Sequence, residues 1–158
     1  GNGSGKSTLL RIILGITSPS KGLIQSYDQD LKISYLGHKN AIKNYLTPVE
    51  NLELLFGGDE LNVAFEWLNS FGLSHLQDEL TASLSFGQQK KLALIRVLAQ
   101  SSDLLVLDEP FVGLDQTTAD QINSFLAQKI SQGVGLVLTS HITPMIDCAA
   151  LDLGANNA

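Results

Sequence analysis

The stretch DLLVLD, residues 103 to 108, constrains the fold more than any other, because it is apolar at every position between two aspartates. A strand with one wet face alternates apolar and polar residues, so a run without alternation belongs to a strand covered on both faces, as in a parallel sheet. Val134 to Ser140 repeats the pattern, and Gln116 to Ile130 between them has helical spacing. Strand, helix and strand in alternation imply an α/β core built on a parallel sheet flanked by helices.

Upstream, Leu9, Leu10, Ile13 and Leu14 recur at helical intervals, which predicts a helix from Lys6 to Leu14 closed by Gly15. Gly22 to Ser26 and Lys32 to Leu36 read as short strands. Thr47-Pro48, with Asn51 nearby, is a helix-start signal, predicting a short helix over 45 to 56 that Gly57-Gly58-Asp59 breaks. Leu61, Ala64, Phe65, Leu68 and Phe71 predict a helix over 60 to 71, ended by Gly72. Ser83 to Gln100 reads as a turn and then a helix. Residues 45 to 80 carry only helical signals, so the region is expected to be a helical insertion into the α/β core. The length, 158 residues, suits one domain.

Composition removes several classes of function. Ten basic against sixteen acidic residues leave a net charge of −6, which disfavours nucleic acid as a partner, since its phosphates are held by Lys and Arg. The single cysteine, Cys148, has no internal disulfide partner, fits a reducing compartment, and is expected to be a small packed side chain. No apolar run approaches the roughly 18 residues of a membrane span, and there is no signal-peptide pattern. A membrane role is therefore expected to be played from the aqueous side.

The chemistry-bearing residues begin at the first position. GNGSGKST, residues 1 to 8, runs a glycine-rich turn into a helix. Gly3 and Gly5 permit a curled backbone whose N–H groups point inward at phosphate oxygens. Lys6 is then placed to reach the β and γ phosphates of a nucleotide, Ser7 to ligate Mg²⁺, and the helix to add its positive dipole end. Asp108 and Glu109 end the buried strand, where α/β folds bind ligands. Beside a phosphate loop, Asp108 would hold Mg²⁺ and Glu109 would orient or deprotonate an attacking water. The plainer reading is that both carboxylates merely finish a strand.

Ser85 followed three residues later by Gln88 is a capping box, and the same helix tip with Gly87 also suits an anion. His141, between strand 134 to 140 and Thr143-Pro144, is either incidental or a ligand of a terminal phosphate. Asp115 reads as the N-cap of the helix beginning at 116. His38, after Tyr35-Leu36-Gly37, is ambiguous taken singly.

In order along the chain, these motifs resemble those of the ATP-binding cassette (ABC) ATPases. GNGSGKST is similar to the Walker A loop, LSFGQQKK (84 to 91) to the family signature, and LLVLDEP (104 to 110) to Walker B with its glutamate. GLD (113 to 115) is similar to the D-loop and TSH (139 to 141) to the switch histidine. The stretch YLGHKNAIKNYLTPVENLELL (35 to 55) resembles the ATP-binding subunits of haem exporters in cytochrome c biogenesis, which carry a histidine where most cassettes have glutamine. Phe86 departs from the usual signature glycine and is expected to fill space at the helix start.

The resemblance implies a P-loop nucleoside-triphosphatase fold with a helical subdomain at about 45 to 83. It implies ATP and Mg²⁺ as ligands, with Asn2, Gly3, Ser4, Gly5, Lys6, Ser7 and Thr8 around the phosphates, Ser7 and Asp108 on the metal, and Lys6, Glu109 and His141 catalytic. It further implies a head-to-tail homodimer in which Ser85, Gly87, Gln88 and Asp115 complete the partner's site, and an integral membrane partner. The chain would then sit peripherally on the cytoplasmic face of the inner membrane. Hydrolysis should loosen the dimer, and the helical region should pass that motion on, with Tyr45, Leu55 and Trp67 either in the core or lining a docking groove. Because the family begins with strands that precede the Walker A loop, the resemblance also implies an N-terminally truncated fragment. The alternatives are a soluble ABC ATPase and an ATP-dependent assembly subunit that does not hydrolyse.

Overall fold

Every residue of Leu104–Asp108 except the first is buried, as its uninterrupted apolar run requires, and this strand is the middle one of three. In the computed structural model, which describes residues 5–25, 30–141 and 145–153, the strands are β1 (Ile33–Leu36), β2 (Leu104–Asp108) and β3 (Gly135–Thr139), in the order β1-β2-β3. Both pairings are parallel; Leu36 lies opposite Leu107, and Asp108 opposite Thr139.

Parallel neighbours need crossovers, and helices supply them. Helix α1 (Lys6–Ile13) precedes β1, while α2 (Pro48–Glu53), α3 (Gly58–Ser70) and α4 (Phe86–Leu98) lie between β1 and β2. Helix α5 (Gln116–Ser131) joins β2 to β3. No strand interrupts residues 37 to 103, only two short 3-10 turns at Ser74–Leu76 and Thr81–Ser83.

One apolar cluster unites these elements. Leu92, Leu94, Ile95 and Leu98 of α4, Leu105 and Leu107 of β2, and Ile122 and Leu126 of α5 are buried together with Leu52, Ala64 and Leu68 from α2 and α3. Each such leucine contributes roughly 1.5–3 kcal/mol through removal from water. Trp67 joins this core: its ring lies 5.1 Å from Phe71 and meets Phe125 of α5 edge-on at 5.3 Å. The core alternative therefore holds for Trp67. It fails for Tyr45 and Leu55, which are 72% and 42% exposed.

Helix boundaries follow local chemistry. The expected helix at 45 to 56 contracts to Pro48–Glu53, because the residue before a proline is pushed out of the helical region. Thr47 and Glu50 close a complete capping box there. The chain does break before α3, as expected, with Gly57 extended between the two helices; Gly57 is the N-cap of α3, and Gly58 and Asp59 already belong to it, its first turn carrying Asp59 and Glu60 against the helix dipole. The expected strand at 22 to 26 does not form over its described residues, 22 to 25. Leu23 and Ile24 are exposed, and among the described residues no strand pairs with them. Cys148 is exposed rather than packed.

Two polar fastenings hold the helices in register. Asn51 is 2% exposed and accepts from Lys43 N at 2.7 Å, while its amide donates to the Lys43 and Thr47 carbonyls and to Thr81 Oγ1. Asp115 caps α5 by accepting from Thr118 N and Thr118 Oγ1, both at 2.9 Å, and pairs with Lys91 of α4 at 2.7 Å. Lys91 also donates to the Phe71 carbonyl at the end of α3, so one ammonium ties the end of α3 and the start of α5 to α4.

Replacing Asn51 with alanine strands buried main-chain groups, and urea denaturation should register a loss of about 1–3 kcal/mol. The Lys91 bond, then the Thr118 N–H and hydroxyl, hold the Asp115 carboxyl well below the usual aspartate range. A depressed carboxyl stabilises the fold above its unfolded pKa, near 3.9, and loses that contribution as pH falls toward its folded value. Carbon-detected NMR titration should place Asp115 below free aspartate in wild type and closer to it in Lys91→Met.

Candidate active site

Three chain segments end at one place. Helix α1 starts at Lys6, β2 ends at Asp108, and β3 ends at Thr139, two residues before His141. Gly5 is the N-cap of α1 with φ +82°, and a Cβ there would meet nothing within 4 Å. The dihedral, not crowding, therefore asks for glycine. No side-chain cap bond at Gly5 is seen among the described residues, and the first N–H groups and positive dipole end of α1 suit an anion.

Lys6 Nζ pairs with Glu109 Oε1 at 3.0 Å and lies 3.1 Å from His141 Nε2. His141 closes the triangle, with Nε2 3.3 Å from Glu109 Oε1 and its main-chain N–H donating to Oε2 at 3.3 Å. One step away, Ser7 Oγ donates to Asp108 Oδ2 at 2.7 Å. Asp108 is 2% exposed, whereas the Glu109 and Lys6 side chains retain 16% and 24% exposure. The cluster thus opens from a buried carboxylate toward solvent.

Glu109 occupies the left-handed region, φ +49°, which costs a residue with a Cβ roughly 1–2 kcal/mol. Its N–H is held by the other strand, donating to Thr139 Oγ1 at 3.0 Å and to the Thr139 carbonyl at 3.2 Å. Thr139 Oγ1 in turn donates to Asp108 Oδ1 at 2.6 Å. Behind the carboxylates, Lys90 of α4 is 4% exposed; burial lowers its pKa, and the charges of Asp108 and Glu109 oppose that shift.

The signature segment presents a second helix tip. Ser85 is exposed, and with Gln88 it forms the expected reciprocal capping box. This tip is clamped to the loop after Glu109. A Cβ on Gly87 would come within 2.7 Å of the Gly113 carbonyl, and one on Gly113, at φ +82°, would strike the Phe86 ring at 2.6 Å. Phe86 therefore fills the expected space against Gly113 while remaining 61% exposed.

The structure accordingly brings Lys6, Ser7, Asp108, Glu109 and His141 into one cluster. Ser85, Gly87 and Gln88 form a separate tip, and Asp115 turns its carboxylate to α5 and Lys91. Thr8 is exposed on α1, and His38 is exposed after β1. Asn2, Gly3 and Ser4 lie outside the described residues, as do Thr143 and Pro144. Sequence reading missed Thr139, Lys90 and Lys91 as members of this network. Only the pairing of Thr139 with Asp108 in the register could have singled out the first.

The donor set fits Mg²⁺. That ion takes oxygen ligands and is commonly held by one or two protein groups plus phosphates and water. Ser7 Oγ and the Asp108 carboxylate supply such oxygens side by side. Among the described residues there is no group of three or more His, Cys, Asp or Glu side chains that could hold a metal by themselves. None of their helices is long and apolar enough to cross a membrane.

Comparisons with known proteins agree with this geometry. Residues 1–112 match the ABC transporter family. The cytochrome c biogenesis ATP-binding export protein CcmA of Pseudomonas syringae pv. tomato is 38% identical over 156 residues, covering 90% of this chain and 72% of that protein. A solved ATP-binding subunit of an ABC transporter superposes with TM-score 0.78 at 25% identity, over 90% of this chain and 65% of that one. A dimeric ATP-binding cassette in a post-hydrolysis state with ADP and Pi superposes with TM-score 0.73 at 28% identity, over 90% and 72% respectively. The ordered motifs, the convergence at the strand ends and these matches lead to one conclusion: the chain belongs to the ABC transporter family, as an ATP-binding cassette.

Proposed function

We propose that this chain is the ATP-hydrolysing subunit of an ABC transporter, coupling ATP-driven closure of a dimer to an integral membrane partner in haem export for cytochrome c biogenesis. The observation that carries the reading is the triangle of Lys6, Glu109 and His141 beside the Ser7–Asp108 pair. A cation, a carboxylate and an imidazole converging at a helix N-terminus form an arrangement suited to a terminal phosphate.

The Lys6–Glu109 ion pair holds both groups in place until a nucleotide arrives. Lys6 then exchanges the carboxylate oxygen for β- and γ-phosphate oxygens, which frees Glu109 to accept a proton. Water attacks the γ-phosphorus, the bond to the β-phosphate bridging oxygen breaks, and the water proton passes to Glu109 as ADP and phosphate form. His141 donates to a γ-phosphate oxygen. Ser7 and Asp108 would hold Mg²⁺, which when bound neutralises charge developing on the phosphoryl oxygens. The family motif assigns Asn2, Gly3, Ser4, Gly5 and Thr8 to the phosphate loop.

The Ser85–Gly87–Gln88 tip, with Ser85 exposed, is the second half of the site, offered to the ATP of a partner copy, with Asp115 in the loop beside it. A helix N-terminus facing the terminal phosphate adds on the order of 0.3–2 kcal/mol. Hydrolysis removes the bridging ligand and lets the copies separate. We read residues 1 to 158 as one ATPase domain with a helical subdomain at about 45 to 83. The exposed Tyr45 and Leu55 support a docking role for that subdomain at the cytoplasmic face of the inner membrane. The CcmA relative, a cytochrome c biogenesis ATP-binding export protein, supports a role in export for cytochrome c biogenesis, and the resemblance of residues 35 to 55 to haem-exporter subunits supports haem.

Glu109→Gln should lower kcat by about 10²–10⁴ while ATP binding persists, since it removes a general base and not a phosphate contact. Lys6→Ala should instead weaken ATP affinity roughly ten- to a hundredfold in equilibrium titrations, as expected for a lost charge-assisted bond. Composite sites make a sharper prediction. Ser85→Arg and Glu109→Gln, each inactive alone, should regain about a quarter of the wild-type rate when mixed, because half the dimers then hold one intact site. Absence of any recovery on mixing would contradict the head-to-tail arrangement.

A further inference from the structure

We propose that Thr139 is a positioning residue for hydrolysis: its hydroxyl locks the two adjacent carboxylates of the β2 end into their separate tasks. The inference rests on the reading under Proposed function. It concerns a side chain outside the five motifs' expected ligands, at the end of β3.

Thr139 is 8% exposed and sits opposite Asp108 in the β2–β3 register. Its single oxygen does two things at once. It donates to Asp108 Oδ1 at 2.6 Å, leaving Oδ2 to Ser7. It also accepts from the Glu109 N–H at 3.0 Å, at the residue whose φ is +49°. Asp108 and Glu109 are neighbours in sequence and would repel if their carboxylates shared one orientation. The left-handed backbone at Glu109 turns its side chain toward Lys6 and His141 while that of Asp108 stays buried against Ser7. A conformation this uncommon for a residue with a Cβ persists only where its surroundings over-determine it.

The second anchor of the Glu109 N–H, the Thr139 carbonyl at 3.2 Å, belongs to the main chain and survives any substitution. Thr139→Val thus removes the hydroxyl bridge while keeping a β-branched shape suited to a strand end, and Thr139→Ser keeps the bridge with less bulk. The consequence for chemistry is specific. Without the bridge, Asp108 Oδ1 loses its fixed direction and Glu109 loses one of two restraints, whereas Lys6 and the α1 tip are untouched.

The test uses the full chain as wild type, Thr139→Val, Thr139→Ser and Glu109→Gln. Steady-state ATP hydrolysis, Mg²⁺-dependent binding of a fluorescent ATP analogue and thermal melting are measured for each. Thr139→Val should lose about ten- to a hundredfold in kcat with KM for ATP within about twofold, the pattern of an interaction that matters in the transition state. Its half-saturating Mg²⁺ concentration in the binding assay should rise, and Thr139→Ser should restore both quantities. Wild-type kinetics and Mg²⁺ dependence in Thr139→Val would overturn the proposal. So would equal impairment of the Val and Ser variants with a lowered melting temperature, since that identifies a packing role. Should wild type and Glu109→Gln hydrolyse ATP equally slowly, the reading under Proposed function fails, and the bridge is decided by binding alone. A Mg²⁺ shift in Val but not Ser then sustains it, and identical binding in all variants rejects it.

Discussion

The parallel pairing of β2 with β3, in the register that sets Asp108 against Thr139, is the constraint on which the rest of the site depends. Because β2 is buried on both faces and flanked on both edges, it has no freedom to slide. A slip of one residue would turn its buried carboxylate to the opposite face. Once the register is fixed, the segments that leave the two strands, Glu109 onward and Ser140 onward, emerge side by side. The start of α1 faces them, and Lys6 reaches Glu109 and His141 from there.

Around that fixed point the molecule has a second rigid unit. The tip of α4, the loop from Phe111 to Leu114 and the start of α5 are bound by close contact at Gly87 and Gly113, by the Phe86 ring, and by the Lys91–Asp115 pair. The loop in question begins two residues after Glu109. A displacement of the α4 tip would therefore be felt at Gly113, four residues along the chain from the carboxylate at the centre of the cluster. This is the physical link between the exposed Ser85 face and the Lys6–Glu109 face, and it runs through short contacts and not through a flexible linker.

Legibility in the sequence tracked how local the determining interaction was. The α/β alternation, the buried β2, the helix start at Thr47-Pro48, the capping box at Ser85 and the cap at Asp115 were all readable, because each depends on residues within a few positions. The strand expected at Gly22 to Ser26 does not form over residues 22 to 25, since apolar residues and a β-like pattern make a strand only where a neighbour offers hydrogen bonds. Cys148 was expected to be packed, and Tyr45 to lie in the core or line a docking groove, from residue type alone; the structure leaves both exposed. Asn51 was noticed only as a polar residue near a helix start, yet it is the buried fastening of that region, because its partners Lys43 and Thr81 lie 8 and 30 residues away.

By itself the sequence determined the identity and order of the chemical groups: a glycine turn carrying Lys6 and Ser7, a buried strand ending in Asp108-Glu109, a capped tip at Ser85 and a histidine after the last strand. Periodicity and residue type suffice for that, since helix, strand and cap are short-range objects. Only the tertiary structure decided which of these groups touch. The Lys6–Glu109 contact spans 103 residues, Ser7–Asp108 101, and Thr139–Asp108 31. Such contacts depend on strand register and helix docking, which are settled by burial of the whole core and leave no mark in the spacing along the chain.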